Sequence, residues 1–342
     1  MEHRPVIDKH GYIPRKLLDK KQFSFKNFFF QWEWMLVIIL ITVMIINSNL
    51  SPYFFSYSSL RDGTMIFLDK AFIVFPMAMI MILRDIDISV GSTVALSSVV
   101  MASVYNTLGM PMEFAILICL LVGAFCGLLN GIIITRFKEL SAVIVTLGTM
   151  IFYRGIAYII LEDQASGDFP EWFGFLGWGY VYGIPFILIL FVIAAISFGL
   201  LLHKTTFGRK IYAMGNNPVA SKYSGVKVDK MKLIVYTLAG LMAAVTALFL
   251  ASRMGSTRPN VANMYELDVI AMAALGGVST AGGKGRIIGT VLAVLIIGYL
   301  QYGLGLINIP AQTLLIIVGA LLILAVSVPK ININNFIRKK NN

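Results

Sequence analysis

Nearly uncharged apolar runs recur along this chain from residue 32 to residue 328, most of them long enough to cross a bilayer. A hydrocarbon core takes roughly 20 helical residues. Ten runs can be drawn, at 32–50, 62–83, 89–108, 113–135, 141–161, 184–203, 233–252, 267–281, 287–306 and 310–328. In lipid the backbone must satisfy its own hydrogen bonds, so such runs fold as helices. The expected fold is an all-α polytopic membrane protein of about ten transmembrane helices. A soluble chain would alternate apolar and charged faces, whereas residues 287–306 are apolar all round. The mean hydropathy of +0.82 agrees. The eighth run is short and glycine-bearing; if it only dipped into the membrane, the C-terminus would change sides.

The net charge of +11 would suit nucleic acid, or a membrane protein with basic cytoplasmic loops. The distribution of charge decides between them. With the N-terminus inside and ten crossings, the cytoplasmic segments are 1–31, 84–88, 136–140, 204–232, 282–286 and 329–342. These hold 23 of the 28 Lys and Arg residues. The opposite loop, 162–183, carries Glu162, Asp163, Asp168 and Glu171 and no Lys or Arg. Topology accounts for the charge, and no nucleic-acid partner is expected. Basic cytoplasmic tails at 1–31 and 329–342 then flank a transmembrane domain over 32–328. Residues 1–27 contain no apolar stretch of the kind a cleavable signal needs.

Residues 204–232 interrupt the membrane pattern. Asn217 suits a helix N-cap, Pro218 the first helical position and Gly225 a left-handed stop. A short helix over 218–224 is predicted. Before it, Gly208 and Gly215 bracket a second piece whose apolar members are Ile211, Tyr212 and Met214. A basic loop anchoring topology is one reading. The length, the caps and the expected exposure of apolar side chains favour docking of a partner.

Polar groups at membrane depth are candidates for a pathway. Asn130, Thr146, Thr149 and Arg154 lie in adjacent spans. Glu266 and Asp268 lie near the outer mouth of the eighth span, where pairing with Arg253 and Arg258 is the structural alternative. In "RDIDISVGS", residues 84–92, Asp87 and Ser89 serve either as an ordinary helix cap or as a fixed turn at the base of a pathway. Asp87 and Asp268 occupy corresponding places in spans two to five and seven to ten, as two inverted repeats would require; coincidence fits equally well. A pathway poor in ions fits a neutral, hydrogen-bonding solute such as a sugar.

"LGGVSTAGGKGR", residues 275–286, invites comparison with a phosphate loop. Lys284 is followed by glycine instead of Ser or Thr, and Val278 stands where the first glycine belongs. The glycines more plausibly permit close helix approach or a helix break. Cys119 and Cys126 share one apolar run and read as packing residues. The three histidines form no ligand cluster, and no metal site or catalytic constellation emerges. The chain does not read as an enzyme.

Three stretches carry a family resemblance. "DISVGS", "TTFGRKIYAMGNNPVASKYSGV" and "YELDVIAMAALGGVSTAGGKGRIIGT" resemble, in order, signatures of the ribose-type ABC importer permeases, and the likeness spans about residues 34–328. It implies a permease subunit in a bacterial cytoplasmic (inner) membrane, paired with a second, identical or sister permease. The partners it implies are an ATPase, as two copies or a fused double ATPase, and an extracytoplasmic solute-binding protein. ATP and Mg would bind the ATPase, with no cofactor on this chain. Gly208, Arg209, Tyr212, Gly215, Asn216, Asn217, Ala220 and Gly225 would form the coupling region. "TLGTMIFYRG", and Arg84-Asp85 before Ile86, are closer to rhamnose and autoinducer 2 members than to ribose permeases. The basic extension at 1–31 and the aromatic loop with Trp172, Phe173, Phe175, Trp178 and Tyr180 depart from the family pattern. An ATP-independent facilitator or secondary carrier for a small polar solute is the competing reading.

Overall fold

A computed structural model describes residues 32 to 310 and, beyond them, residues 312–314, 316, 317, 319, 320 and 323. The tails at 1–31 and 329–342 and much of the tenth run lie outside the described residues. The apolar runs form α1 (Trp32–Leu50), α2 (Tyr57–Phe67), α3 (Ala71–Ile82), α4 (Val90–Asn106), α5 (Met112–Arg136) and α6 (Ala142–Leu161). After a loop holding α7 (Gly174–Trp178) come α8 (Phe186–Lys204), α9 (Thr206–Asn216), α10 (Pro218–Tyr223), α11 (Val228–Met254), α12 (Tyr265–Leu275) and α13 (Ile287–Leu306). Among the described residues, α1, α5, α6, α8, α11 and α13 are long and apolar enough to cross a membrane, and α2 with α3 makes a seventh if taken as one bent span.

The core lies around α3, α4, α11, α12 and α13. Every residue of α3 is buried, while α1, α6 and α8 keep most of their apolar surface outward. Close approach comes from small residues. Gly123 and Gly127 of α5 face Gly240 and Ala244 of α11, and a Cβ on Gly127 would fall on the Tyr236 carbonyl. Without a hydrophobic force between helices in lipid, such backbone contact is what holds two helices together. Aromatic stacking joins α3 to α11 and α8: Phe72 on Phe249 at 5.1 Å between centroids, and Phe75 against both Phe191 and Phe198 at 5.5 Å. Cys119 and Cys126 are free and buried, Cys119 in the main core and Cys126 in a smaller cluster with Leu96, Val99, Tyr153 and Ala157.

Contacts between loops define two ends of the bundle. At one, β1 (Ser166–Gly167) pairs antiparallel with β4 (Ser256–Thr257), Trp178 Nε1 donates to the Arg253 carbonyl at 3.0 Å, and Tyr180 Oη donates to Asp62 at 2.8 Å. A hairpin of β2 (Tyr180–Val181) and β3 (Ile184–Pro185) completes this end. At the other, Trp32 Nε1 donates to the Leu275 carbonyl, Tyr212 to Gly285, and Ile287 N to His203 Nε2. The eighth run therefore passes between the ends, since it follows β4 at one and reaches Gly285 at the other. Its helix stops at Leu275, short of the expected residue 281, because Gly277 turns left-handed at φ 84°.

The second run, expected as one span over 62–83, is broken between α2 and α3 with a bend of 56°. The cause is polar. Asp69 Oδ1 accepts from Lys70 N at 2.7 Å, Thr246 Oγ1 donates to the Asp69 carbonyl at 2.7 Å, and Arg253 pairs with Asp69 Oδ2 at 2.7 Å. Lys70 turns the other way, onto Asp268 and onto Gln301 Oε1 at 2.8 Å. Two ion pairs thus pin the break to α11 and α12.

Candidate functional site

The 204–232 region folds from local signals into two short helices at one end of the bundle. Asn217 caps α10, its Oδ1 accepting from Ala220 N at 3.0 Å; Pro218 sits in the first turn, and Gly225 follows at φ 83°. The helix ends at Tyr223. Thr205 caps α9 by accepting from Gly208 N at 3.3 Å. Gly208 and Gly215 do not bracket α9 but lie inside it, in its first and last turns. They are packing glycines: a Cβ on Gly208 would strike the Leu202 carbonyl, and one on Gly215 would strike the Ile82 carbonyl and lie 2.6 Å from Gly283 N.

The apolar members of α9 point inward, contrary to the exposure expected of them. Ile211 and Met214 are buried because α9 lies on the end of the bundle. The exposed apolar side chains belong instead to α10, where Val219 is 62% and Tyr223 90% exposed. Arg209 is also exposed, and Ala220 sits on the open surface of α10.

Three segments lock together beneath α9. The Arg84 Nε donates to the Gly215 carbonyl and its Nη2 to the Asn216 carbonyl, each at 2.7 Å. Gly283 N donates to the Ile82 carbonyl at 2.9 Å, so the 276–286 loop joins the same knot. That loop turns through Gly282 and Gly283, both left-handed at φ 83° and 71°. Tyr212 Oη donates to the Gly285 carbonyl at 2.6 Å, and burial pushes its phenol up to about 12, so it stays a donor at neutral pH. His203 Nε2 accepts from Ile287 N, which leaves the proton on Nδ1, 3.4 Å from Tyr212 Oη. The end of α3, the end of α8 and the segment leading into α13 are therefore all bonded to or beside α9.

The polar residues expected along a pathway fall into three separate groups. Asp87, Ser89 and Asn130 form one buried chain: Asp87 Oδ1 accepts from Ser89 N at 2.8 Å and from Ser89 Oγ at 2.7 Å, and Asn130 Nδ2 donates to Ser89 Oγ at 2.7 Å. Tyr153 extends it to Asn130 Oδ1 at 3.1 Å. Thr146 props the loop, accepting from Ile88 N and donating to the Ile86 carbonyl, while half-buried Thr149 donates to the Thr146 carbonyl within α6. Asp85 beside this loop pairs with Lys232 at 2.6 Å; burial raises its carboxyl and Lys232 works against that rise.

Arg154 and Glu266 make the second group. Arg154 Nη1 donates to the Pro259 and Val261 carbonyls at 2.7 Å, and the buried Glu266 Oε2 has no hydrogen-bond partner among the described residues. Asp268 belongs to the third, with Lys70. The alternative in which Arg253 and Arg258 pair with Glu266 and Asp268 is not formed among the described residues, since Arg253 is held by Asp69 and Asp268 by Lys70. Asp69, Lys70 and Gln301 are not among the pathway candidates that the sequence offers. Two adjacent charges inside an apolar run were the signal that marked the break.

A family model described as branched-chain amino acid transport system / permease component matches residues 61–326. The chain is similar to the autoinducer 2 import system permease protein LsrD of Enterobacter sp. (strain 638), 33% identical over 301 residues covering 86% of this chain and 91% of that protein. It is 35% identical to the proteins of the same name from Escherichia coli (strain K12) and Shigella flexneri, over 303 residues with the same coverage. No solved structure matches the chain.

Proposed function

Since the chain belongs to the family of branched-chain amino acid transport system permease components, and so is a membrane permease, we propose that it imports autoinducer 2 or a related sugar-like small molecule as the transmembrane subunit of an ATP-driven transporter. The family and the names of its relatives favour an importer permease over an ATP-independent facilitator or carrier. On this reading a separate ATPase binds ATP and Mg, an extracytoplasmic solute-binding protein delivers the substrate, and a second permease completes the path. The chain then crosses a bacterial inner membrane ten times with both termini cytoplasmic. The concentration of Lys and Arg on the α9 and α10 side supports that orientation.

One observation carries the coupling assignment: α9 is tied at once to Arg84 after α3, to the 276–286 loop and to His203 of α8, while α10 beside it presents Val219 and Tyr223 to solvent. An ATPase closing against α10 would move these helix ends together. Asp87 precedes α4 at the α9 end, and Asp268 opens α12 nearer the opposite end, an arrangement that supports two inverted repeats. Asp87, Ser89, Asn130, Thr146, Thr149, Arg154, Glu266 and Asp268 remain the candidates for shaping the pathway.

Vesicles reconstituted with this chain, its ATPase and its binding protein test the proposal. Uptake should require ATP and all partners, and a charge reversal at Arg209 should uncouple ATP hydrolysis from uptake while the protein still inserts. Uptake by this chain alone would support the carrier.

A further inference from the structure

Between β4 and α12 the chain enters the bundle without forming a helix. Thr257 and Ser98 share a hydroxyl hydrogen bond at 2.7 Å, about 12 Å along α4 from its end at Asn106, where Asn106 bonds to β1. A Cβ on Gly91, about 22 Å from that end, would lie 2.7 Å from the Ala262 carbonyl. The Pro259 and Val261 carbonyls both accept from Arg154 Nη1, about 10 Å along α6 from its end at Leu161. Residues 258–264 therefore lie at membrane depth as irregular backbone. Two of them, Ala262 and Met264, are left-handed at φ 54° and 68°. Irregular backbone at such depth is stable only inside protein or against water, and strain in non-glycine residues clusters at functional sites.

Part of this segment faces outward. Pro259, Val261 and Ala262 are buried, whereas Asn260, Asn263 and Met264 are exposed, with exposed Arg258 at the β4 end. Neither Asn260 nor Asn263 has a side-chain hydrogen bond among the described residues. Acyl chains cannot satisfy two carboxamides, so this face meets water or protein. Arg154 adds further donors, because its Nε and Nη2 have no partner among the described residues. Behind the strip, Glu266 is 7% exposed with Oε2 unpartnered, and it attracts Arg154 without forming an ion pair. So many open polar groups suit a hydrated surface better than a dry protein seam. The amides are neutral and Glu266 offsets Arg154, a balance that fits hydroxyl groups better than an ion.

We propose that residues 258–264 wall the transport path and hold a neutral polyhydroxyl solute in it, with Asn260 and Asn263 bonding its hydroxyls. Arg154 is a positioning residue, fixing the backbone that carries the two amides. The inference rests on the importer reading given above and assigns a surface to its path. The face of α6 beside Arg154 then borders the path, with the second permease opposite.

The chain assembled with its ATPase and binding protein in vesicles provides the test. Asn260→Cys and Asn263→Cys are treated with a charged, membrane-impermeant thiol reagent. Ile193→Cys, at an exposed position of α8, serves as the lipid-facing reference, and the unmodified chain, whose Cys119 and Cys126 are buried, gives the background. A thiol in water ionises far more readily than one in lipid, so both asparagine positions should react at least about tenfold faster than the reference. Autoinducer 2 delivered by the binding protein should slow both reactions. The double variant N260A/N263A should lose at least about tenfold in uptake while still co-purifying with the ATPase. Reaction no faster than the reference, reaction indifferent to a solute that is being transported, or unchanged uptake by the double variant would overturn the proposal. Thiols that resist the reagent and instead cross-link two permeases would place these residues in a dry seam and overturn it as well. If the unmodified assembly takes up no autoinducer 2, the importer reading fails on its own; fast reaction at both positions then still upholds a water-lined wall, and slow reaction overturns it.

Discussion

Arg84 forks onto the end of the helix that carries Gly215, its guanidinium 2.7 Å from both the Gly215 and the Asn216 carbonyl oxygens. The last carbonyls of any helix lack intrahelical donors and carry the negative end of its dipole. Arg84 satisfies two of them in α9 from the far side of the chain's sequence. Its own backbone is left-handed at φ 69°, a conformation that costs a non-glycine residue about 1 kcal/mol. The two charge-assisted bonds offset that cost.

Replacing Arg84 should therefore loosen α9 from α3 without disturbing insertion. A charge-assisted hydrogen bond contributes about 1.5 kcal/mol or more, so Arg84→Ala should reduce coupled uptake roughly tenfold or more. Arg84→Lys should recover only part of it, since an ammonium cannot present the same planar fork. Uptake per molecule in membrane vesicles, normalised to protein inserted, distinguishes these outcomes.

Two glycines near this site should behave in opposite ways. A side chain at Gly215 meets backbone atoms of Ile82 and Gly283, which cannot move aside, whereas one at Gly225 meets open space but must hold φ at 83°. Gly215→Ala should lower the thermal unfolding midpoint in detergent clearly and impair uptake. Gly225→Ala should cost only about 1 kcal/mol of local strain and leave the midpoint nearly unchanged.

The cap of α10 allows a local measurement. Asn217→Ala removes the acceptor for Ala220 N, a loss of about 1 kcal/mol, and hydrogen exchange over residues 219–224 should speed by roughly fivefold. Asn217→Ser should restore protection. Unchanged exchange in the alanine variant would show that α10 is held by its surroundings and not by its cap.

The ion pairs at the helix break should dominate stability. Lys70 and Asp268 are both more than nine-tenths buried, and removing one partner of such a pair typically costs about 3–5 kcal/mol by stranding the other charge. Asp268→Leu should lower the detergent unfolding midpoint strongly. The double variant Lys70→Met with Asp268→Leu should be less damaged than Asp268→Leu alone.

Much of this architecture was legible because its determinants are local. The apolar runs placed most of the helices, and Asn217, Pro218 and Gly225 marked α10 through chemistry confined to a few residues. Gly208 and Gly215 were misplaced because their role is a backbone contact with Leu202 and Ile82, which no local pattern reveals. The alternative that pairs Arg253 with Glu266 or Asp268 fails for a similar reason: its partner Asp69 is 184 positions away, and Asp268 is held by Lys70. Ile211 and Met214 looked like a docking surface until the fold placed them against the bundle.

The most direct measurement is substrate uptake by vesicles containing this chain with its ATPase and binding protein, alongside a Gly215→Trp variant present in equal amount. ATP hydrolysis should drive uptake of labelled autoinducer 2 or a related sugar in the unmodified assembly, and the variant should hydrolyse ATP without transporting. Uptake by the variant at the unmodified rate, or by the unmodified chain in the absence of ATP, would contradict the assignment of residues 204–232 as the point where ATP-driven motion enters the membrane.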